Sequence, residues 1–410
     1  MTPVSSRLDR LKTRTKNLVQ TELETQTSLI RNHPDYSDSL DPFIKILQQT
    51  FFIEQFIEQS SKDIVFTPCI QAPLELFHAA GLQPFKLACG SFAVQNMAPL
   101  HLPALTCPMI RSISGLLEMN QTEGIPLVIP TTCDWVVKFS ELAGLYEKTD
   151  IHFMELPHLR EEERSAKRWH NEIQLFKTWL EKRTGQKIYS KNLLRSVKLY
   201  SRAFELHDRL IRLRRKQIVS GLQYALIMNA MPYQDIEIWM AAVETFVIGL
   251  QDTGIRKIPV FLSGSPIVFP NYKMLSLIEN AGMAVTADDI CTMERTLQGT
   301  VAYEDASEFA LLKALAQRYH TACSCPTFAD NHRRINAMVH TLKQYEIKGV
   351  IFHVLKGCHP YDMEASILEM RLKDQGIRFL KIETDYVKED EQNIVTRLEA
   401  FNRTLRSIEQ

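Results

Sequence analysis

Three of the eight cysteines stand where an apolar run gives way to turn residues: Thr106-Cys107-Pro108, Thr132-Cys133-Asp134 and Lys356-Gly357-Cys358-His359. In open parallel sheets, ligands collect in the crevice outside the carboxyl ends of the strands, so thiols at such ends are well placed for chemistry. Three thiolates converging there would hold an iron–sulfur cluster, which accepts ligands scattered along a chain provided the fold gathers them. Each cysteine is followed by a residue suited to a turn or helix start. A helix N-terminus favours the thiolate through its dipole and its free N–H groups.

The other cysteines leave alternatives open. Cys89, Cys291 and Cys325 read either as a second ligand set or as local packing, with Pro326 favouring Cys325 over Cys323 in Cys323-Ser324-Cys325. Cys69 and Cys323 read equally well as core residues, given how often free cysteine is buried. Zinc competes as the metal, but a structural zinc site shows Cys-x2-4-Cys knuckles and this chain has none. A nucleophilic thiol paired with His359 is a further alternative, disfavoured because adjacent residues rarely orient for base catalysis. His359 and Glu364, with Asp362, follow the third cysteine and read as proton-moving groups or as capping residues of a helix start. Phe92, Met97, Trp135 and Tyr361 are candidates for lining a substrate pocket. Neither Gly-x4-Gly-Lys-Ser/Thr nor Gly-x-Gly-x2-Gly occurs, so any nucleotide energy must come from another protein.

The elements that position these residues follow from periodicity. Residues 1–60 are polar, lack glycine and place Ile44, Leu47, Phe51 and Phe56 at helical spacing, which predicts a helical N-terminal region. Residues 61–157 alternate short strands (63–67, 83–87, 125–129, 152–156) with helices such as 73–80, the pattern of a parallel α/β domain. Residues 158–252 return to helix, including a long amphipathic run over 193–222 whose basic stretch 209–216 reads as a solvated face with Leu210 and Leu213 turned inward. A second α/β domain spans 253–410, with strands at 258–262, 283–286, 349–355 and 377–382 and helices at 272–280, 306–319 and 365–375. The uninterrupted apolar run Gly349–Leu355 is typical of a strand buried on both faces. The expected architecture is α/β, with two Rossmann-like or flavodoxin-like parallel-sheet domains, a helical N-terminal region and a helical middle segment. The two sheet segments read as distant structural repeats.

Bulk properties narrow the function classes. With 48 Lys and Arg against 48 Asp and Glu, nothing points to a nucleic acid or an anionic membrane as partner. No apolar run reaches the ~18 residues a membrane span needs, and the N-terminus lacks an apolar signal core, so a cytoplasmic location is expected.

The motifs resemble a known family. Leu87–Ser91, Leu102–Ser112 with Gly115, Ile129–Asp134, Ser263–Pro266, Cys323–Pro326 with Asn331 and Arg333, Lys356–Glu364 and Ile382–Asp385 form an ordered series. Together they look like the 2-hydroxyacyl-CoA dehydratase and benzoyl-CoA reductase subunits, a family that includes the double-cubane cluster reductases. The resemblance implies an oxygen-sensitive anaerobic enzyme with an acyl-CoA substrate. It implies a [4Fe–4S] cluster on Cys107, Cys133 and Cys358, and a homologous second subunit or a second copy as partner. A separate ATP-hydrolysing iron–sulfur activator would deliver a low-potential electron. In the dehydratases that electron makes a ketyl radical from the thioester carbonyl; in the reductases it enters an aromatic or small unsaturated substrate. The alternatives are a non-catalytic relative that passes electrons and a reductase of small molecules with a double-cubane [8Fe–9S] cluster, which needs about six cysteine ligands. The interval 108–132 lacks the additional cysteine such proteins show, and Gly264-Ser265-Pro266 stands where they have Gly-Cys-Pro. Both departures favour a single cubane, with Cys89, Cys291 and Cys325 left as the second set.

Overall fold

The computed structural model describes residues 3–98, 102–103, 105–146, 149–160, 162–297, 299–321 and 324–409. Helices Pro3–Arg31, Asp41–Gln49 and Ile53–Gln59 precede the first strand. Four short strands follow: β1 (Ile64–Thr67), β2 (Gln83–Lys86), β3 (Leu127–Pro130) and β4 (Ile151–Met154). Helices Glu163–Thr184, Ser190–Arg215, Gly221–Ala230 and Ile236–Ile248 separate them from β5 (Ile258–Gly264), β6 (Met283–Asp288), β7 (Gly349–Leu355) and β8 (Arg378–Thr384). All pairings are parallel, and the two sheets share one plan, β2-β1-β3-β4 and β6-β5-β7-β8. The α/β reading and the helical N-terminal region are thus observed, and the suspected repeat is present as topology. Strand β7 occupies the residues its apolar run implied, buried at every position between β5 and β8.

Two helices depart from expectation. The run 193–222 is two helices, because Gln217 takes φ +56°, Ile218 N–H donates to Leu213 O, and Ser220 with Gln223 forms a capping box that starts a new helix at Gly221. Its basic stretch is not a solvated face throughout. Arg214 is fully buried, paired with Asp288 (2.7 Å) and Glu294 and lying over the Tyr224 ring. Isolated burial of a guanidinium costs several kcal/mol, so its carboxylate partners fix how the helix 190–215 seats on β6. The helix after Cys358 begins at His359, not Ala365, since Pro360 in its first turn needs no hydrogen-bond acceptor. Among the described residues, no helix is long and apolar enough to cross a membrane.

Three histidines are held neutral. Burial draws His152, stacked against Phe176 and Trp179, and the fully enclosed His207 and His353 from the ordinary 6.5 down to about 4. The unfolded chain therefore binds more protons between these values, so this contribution to stability is complete above about pH 6.5 and is lost as pH falls through about 4. Thermal melting across that window is expected to show a steady decline, on the order of 3 kcal/mol for each of His207 and His353. A profile flat from pH 7 to about 4 would contradict it.

Candidate metal centre

Both sheets point their carboxyl ends at one cavity. It encloses about 960 Å³ of space including its mouth, and Cys69, Cys107, Cys133, Cys291, Cys325 and Cys358 all line it. The cysteines arrive by the rule for open sheets, beyond the carboxyl ends of strands or on the crossovers between them, and Cys69, Cys133 and Cys358 sit at the switch points where strand order reverses. Cys69 follows β1, Cys133 follows β3, Cys291 follows β6 and Cys358 follows β7. Cys107 opens the helix Pro108–Met119 on the crossover from β2 to β3, and Cys325 precedes the helix His332–Gln344 on the corresponding crossover from β6 to β7. Ser265 occupies, after β5, the place that Cys69 takes after β1.

The thiols fall into two neighbouring groups. Cys107 and Cys358 share a hydrogen bond, which draws Cys107 below the usual thiol range while that bond and burial push Cys358 up. Cys133, pushed up to about 12 by burial, feels the charge of Cys358 and of Cys325. Cys69 and Cys291 are also pushed up by burial, and both feel Cys325. Backbone N–H groups of the following turn point at four of these sulfurs: Gln71 at Cys69, Met109 and Ile110 at Cys107, Trp135 and Val136 at Cys133, and Tyr361 at Cys358. Such nests of donors stabilise thiolates and cluster sulfides alike. All seven described cysteines are free thiols. Among the described residues, no three cysteine sulfurs lie within 4.8 Å of one another, a wider spread than a single tetrahedral zinc gathers.

Two buried cations face the thiols. Lys86, at the end of β2, lines the cavity with 8% exposure and donates to Cys291 O at 3.4 Å. Arg295 is 1% exposed and donates to the backbone oxygens of Asp289 and Ser324 and to Tyr361 Oη at 2.5 Å. Charge buried at this depth calls for an anionic partner, and thiols that ionise on binding a metal can supply it.

The loops carrying Cys107, Cys133 and Cys358 are locked together at Gly357. Its φ is +75°, and a Cβ there would lie 2.6 Å from Leu105 O. The indole of Trp135, two residues past Cys133, donates to Gly357 O at 3.0 Å. Only glycine satisfies both the left-handed turn and the close approach. Ser265 Oγ bonds to Cys358 and accepts from Leu355 N–H at 3.0 Å, steadying the same turn.

Of the residues singled out from sequence, Cys107, Cys133, Cys291, Cys325 and Cys358, together with Trp135 and Tyr361, meet at this cavity. Cys89 does not: it is fully buried in the hydrophobic core with Leu87 and Val94, because its neighbour Ala88 faces the cavity and adjacent side chains of an extended segment point oppositely. Cys69, read equally as core, is the cavity thiol instead, while Cys323 lies outside the described residues. His359 is exposed and not on the cavity wall. Glu364 is buried against Arg334, which also binds Asp289, a structural ion cluster behind the wall. Phe92 is exposed and Met97 is buried elsewhere. Lys86 and Arg295 gave no sequence signal, but Cys69 did: it lies two residues past a strand end, as Cys133 lies three past one.

The model of 2-hydroxyglutaryl-CoA dehydratase, D-component, matches residues 69–405, a span that begins at the first cavity cysteine and includes all six. The chain belongs to this family. The motif resemblance is therefore borne out. Within the family, it is 25% identical over 378 residues to YjiM of Escherichia coli (strain K12), which carries the provisional name of a dehydratase subunit; the alignment covers 88% of this chain and 96% of that one. It is 21% identical to the (R)-phenyllactyl-CoA dehydratase beta subunit of Clostridium sporogenes, covering 86% and 95%. It is 22% identical to the beta subunit of (R)-2-hydroxyglutaryl-CoA dehydratase of Acidaminococcus fermentans, covering 81% and 90%.

Gly357→Ala is expected to cost on the order of 2–4 kcal/mol, read by thermal melting, because the new methyl meets a backbone oxygen in a turn that L side chains resist. In the reduced, metal-free protein at about pH 8, brief iodoacetamide labelling read by peptide mass spectrometry should modify Cys107 several-fold ahead of Cys133. Equal labelling would contradict the lowering of Cys107 by its hydrogen bond to Cys358.

Proposed function

We propose that this chain is the cluster-bearing subunit of an oxygen-sensitive reductase of this family, acting on a small substrate, and that all six cavity thiolates hold a double-cubane [8Fe–9S] cofactor. The observation that carries the reading is six cysteines on one cavity wall in two groups, Cys107, Cys133 and Cys358 beside Cys69, Cys291 and Cys325. The donor set fits the group: soft thiolates, backbone N–H groups at the sulfurs, and two buried cations to offset the charge. Cys69 supplies the sixth ligand that neither the interval 108–132 nor Ser265 provides. A cluster bound here would supply low-potential one-electron transfer and, at an iron without a thiolate, a Lewis-acid position.

The chain's own groups would do the rest. Lys86 and Arg295, both buried, would offset the negative charge of the cluster and its thiolates. Tyr361 Oη, fixed by Arg295, presents a hydroxyl to the cavity beside Cys358. With two trios of thiols occupied, the remaining space suits a small substrate. The electron would come from a separate ATP-hydrolysing iron–sulfur activator, and a second copy or a homologous subunit would complete the enzyme.

The second reading is an acyl-CoA dehydratase subunit with one [4Fe–4S] cluster on Cys107, Cys133 and Cys358. The activities of the relatives favour it, since they are dehydratase subunits and, at 21% identity, one of the benzoyl-CoA reductase subunits of Thauera aromatica.

Iron and sulfide analysis of anaerobically prepared protein separates the two. About eight irons per chain are expected, falling sharply in Cys325→Ala and Cys69→Ala; about four, unchanged in those variants, would establish the single cluster. Lys86→Gln is expected to lower the midpoint potential on the order of tens of millivolts in a dithionite titration followed by electron paramagnetic resonance, because removing a nearby positive charge disfavours the added electron. A potential unmoved by this change would detach Lys86 from the cofactor.

A further inference from the structure

We infer that His33, Asp35 and Glu279 form a site for one divalent transition-metal ion, distinct from the thiol cavity. Each residue offers a ligand atom, and the three atoms lie within 4.8 Å of one another. Glu279 carries the argument. Its side chain is buried, with 4% exposure for the residue, and Gly221 N–H fixes Oε1 at 2.8 Å. Its Oε2 has no hydrogen-bond partner and faces His33 Nε2 at 3.7 Å, beyond hydrogen-bonding range. Asp35 Oδ2 stands 3.8 Å from the other ring nitrogen.

A buried carboxylate oxygen left bare costs free energy unless something positive reaches it. The nearby Lys257 ammonium is spent on the backbone oxygen of Glu279, at 3.1 Å, and Lys257 is itself exposed. His33 Nδ1 accepts from Asp35 N–H at 3.3 Å, which leaves Nε2 as the ring ligand. Ligands on one ion at ~2.1 Å are separated by about 3.4 Å. One atom from each of the three residues already lies within 4.8 Å of the other two, so side-chain movement alone closes the set onto an ion. One imidazole and two carboxylates, with no thiol, suit manganese, ferrous iron or zinc rather than a soft metal. An entry path exists, because His33 opens on a groove lined by Ile30, Leu222, Leu277 and Asn280.

The ion would join three separate elements: the segment after the helix Pro3–Arg31, the helix Lys273–Asn280, and the start of the helix Gly221–Ala230, whose first N–H holds Glu279. It would pin the N-terminal helix to the second sheet's layer without touching any of the six cysteines.

The test uses protein loaded with its iron and titrated with Mn²⁺ alone, following the free-ion signal by room-temperature electron paramagnetic resonance. Manganese binds thiolates poorly, so it reports on an oxygen and nitrogen site. One Mn²⁺ per chain, displaced by Zn²⁺ and weakened about tenfold or more by Glu279→Gln and His33→Gln, supports the site. Asp35→Asn, at a partly exposed position, guards against misfolding: it should weaken Mn²⁺ binding while the metal-free melting temperature and iron content stay unchanged. No binding, or binding that none of these changes affects, overturns the inference. Iron content is read on the same samples, so the outcome is independent of the cluster reading.

Discussion

The contact on which the rest of the structure depends is the turn at Gly357. Its left-handed backbone lets Leu105 O approach within a distance no side chain would allow, and Trp135 closes the other side by donating to the glycine's carbonyl. Leu105 and Trp135 belong to the first sheet's loops, and Gly357 to the second's. One residue along from Gly357, and two along or back from the others, are the three thiols of the first group. The cavity therefore has its shape because two separately wound sheets are clamped backbone to backbone beside the thiols, with Lys86 bonding across to Cys291 O as well.

Electrostatics explains why the remainder of the cavity looks as it does. Thiols at helix starts are favoured as anions, yet burial opposes charge, and at Cys69, Cys133 and Cys291 burial is the larger effect. The hydrogen bond between Cys107 and Cys358 draws the first down and pushes the second up. Lys86 and Arg295 line the same cavity, where neither lysine nor arginine would be tolerated against plain hydrocarbon. The repeated strand order doubles this design, since equivalent crossovers deliver Cys107 and Cys325 and equivalent strands deliver Cys133 and Cys358.

Much of this was legible in the sequence. Strands announced themselves as apolar runs ended by Gly, Pro or Asp, and β7 agreed residue for residue. Five of the six cavity cysteines were singled out because a thiol at a strand end is conspicuous. The exchange of Cys89 for Cys69 was not legible, because which of two neighbouring side chains faces a crevice depends on where alternation starts beyond β2. The burial of Arg214 was equally hidden: its partners Asp288 and Glu294 lie more than 70 residues away, and a basic run alone looks like a solvated surface. The break at Gln217 needed tertiary context, because the flanking residues are good helix formers.

The ligand order along the chain also dictates when the protein can mature. The cavity draws on thiols from residue 69 to residue 358, and the last of them follows a strand that sits in the middle of its sheet, not at an edge. A nascent polypeptide still lacking β7 has neither that thiol nor the glycine turn that aligns the other loops. The six-thiol cavity can therefore close only late in synthesis, once the second sheet has formed beside the first.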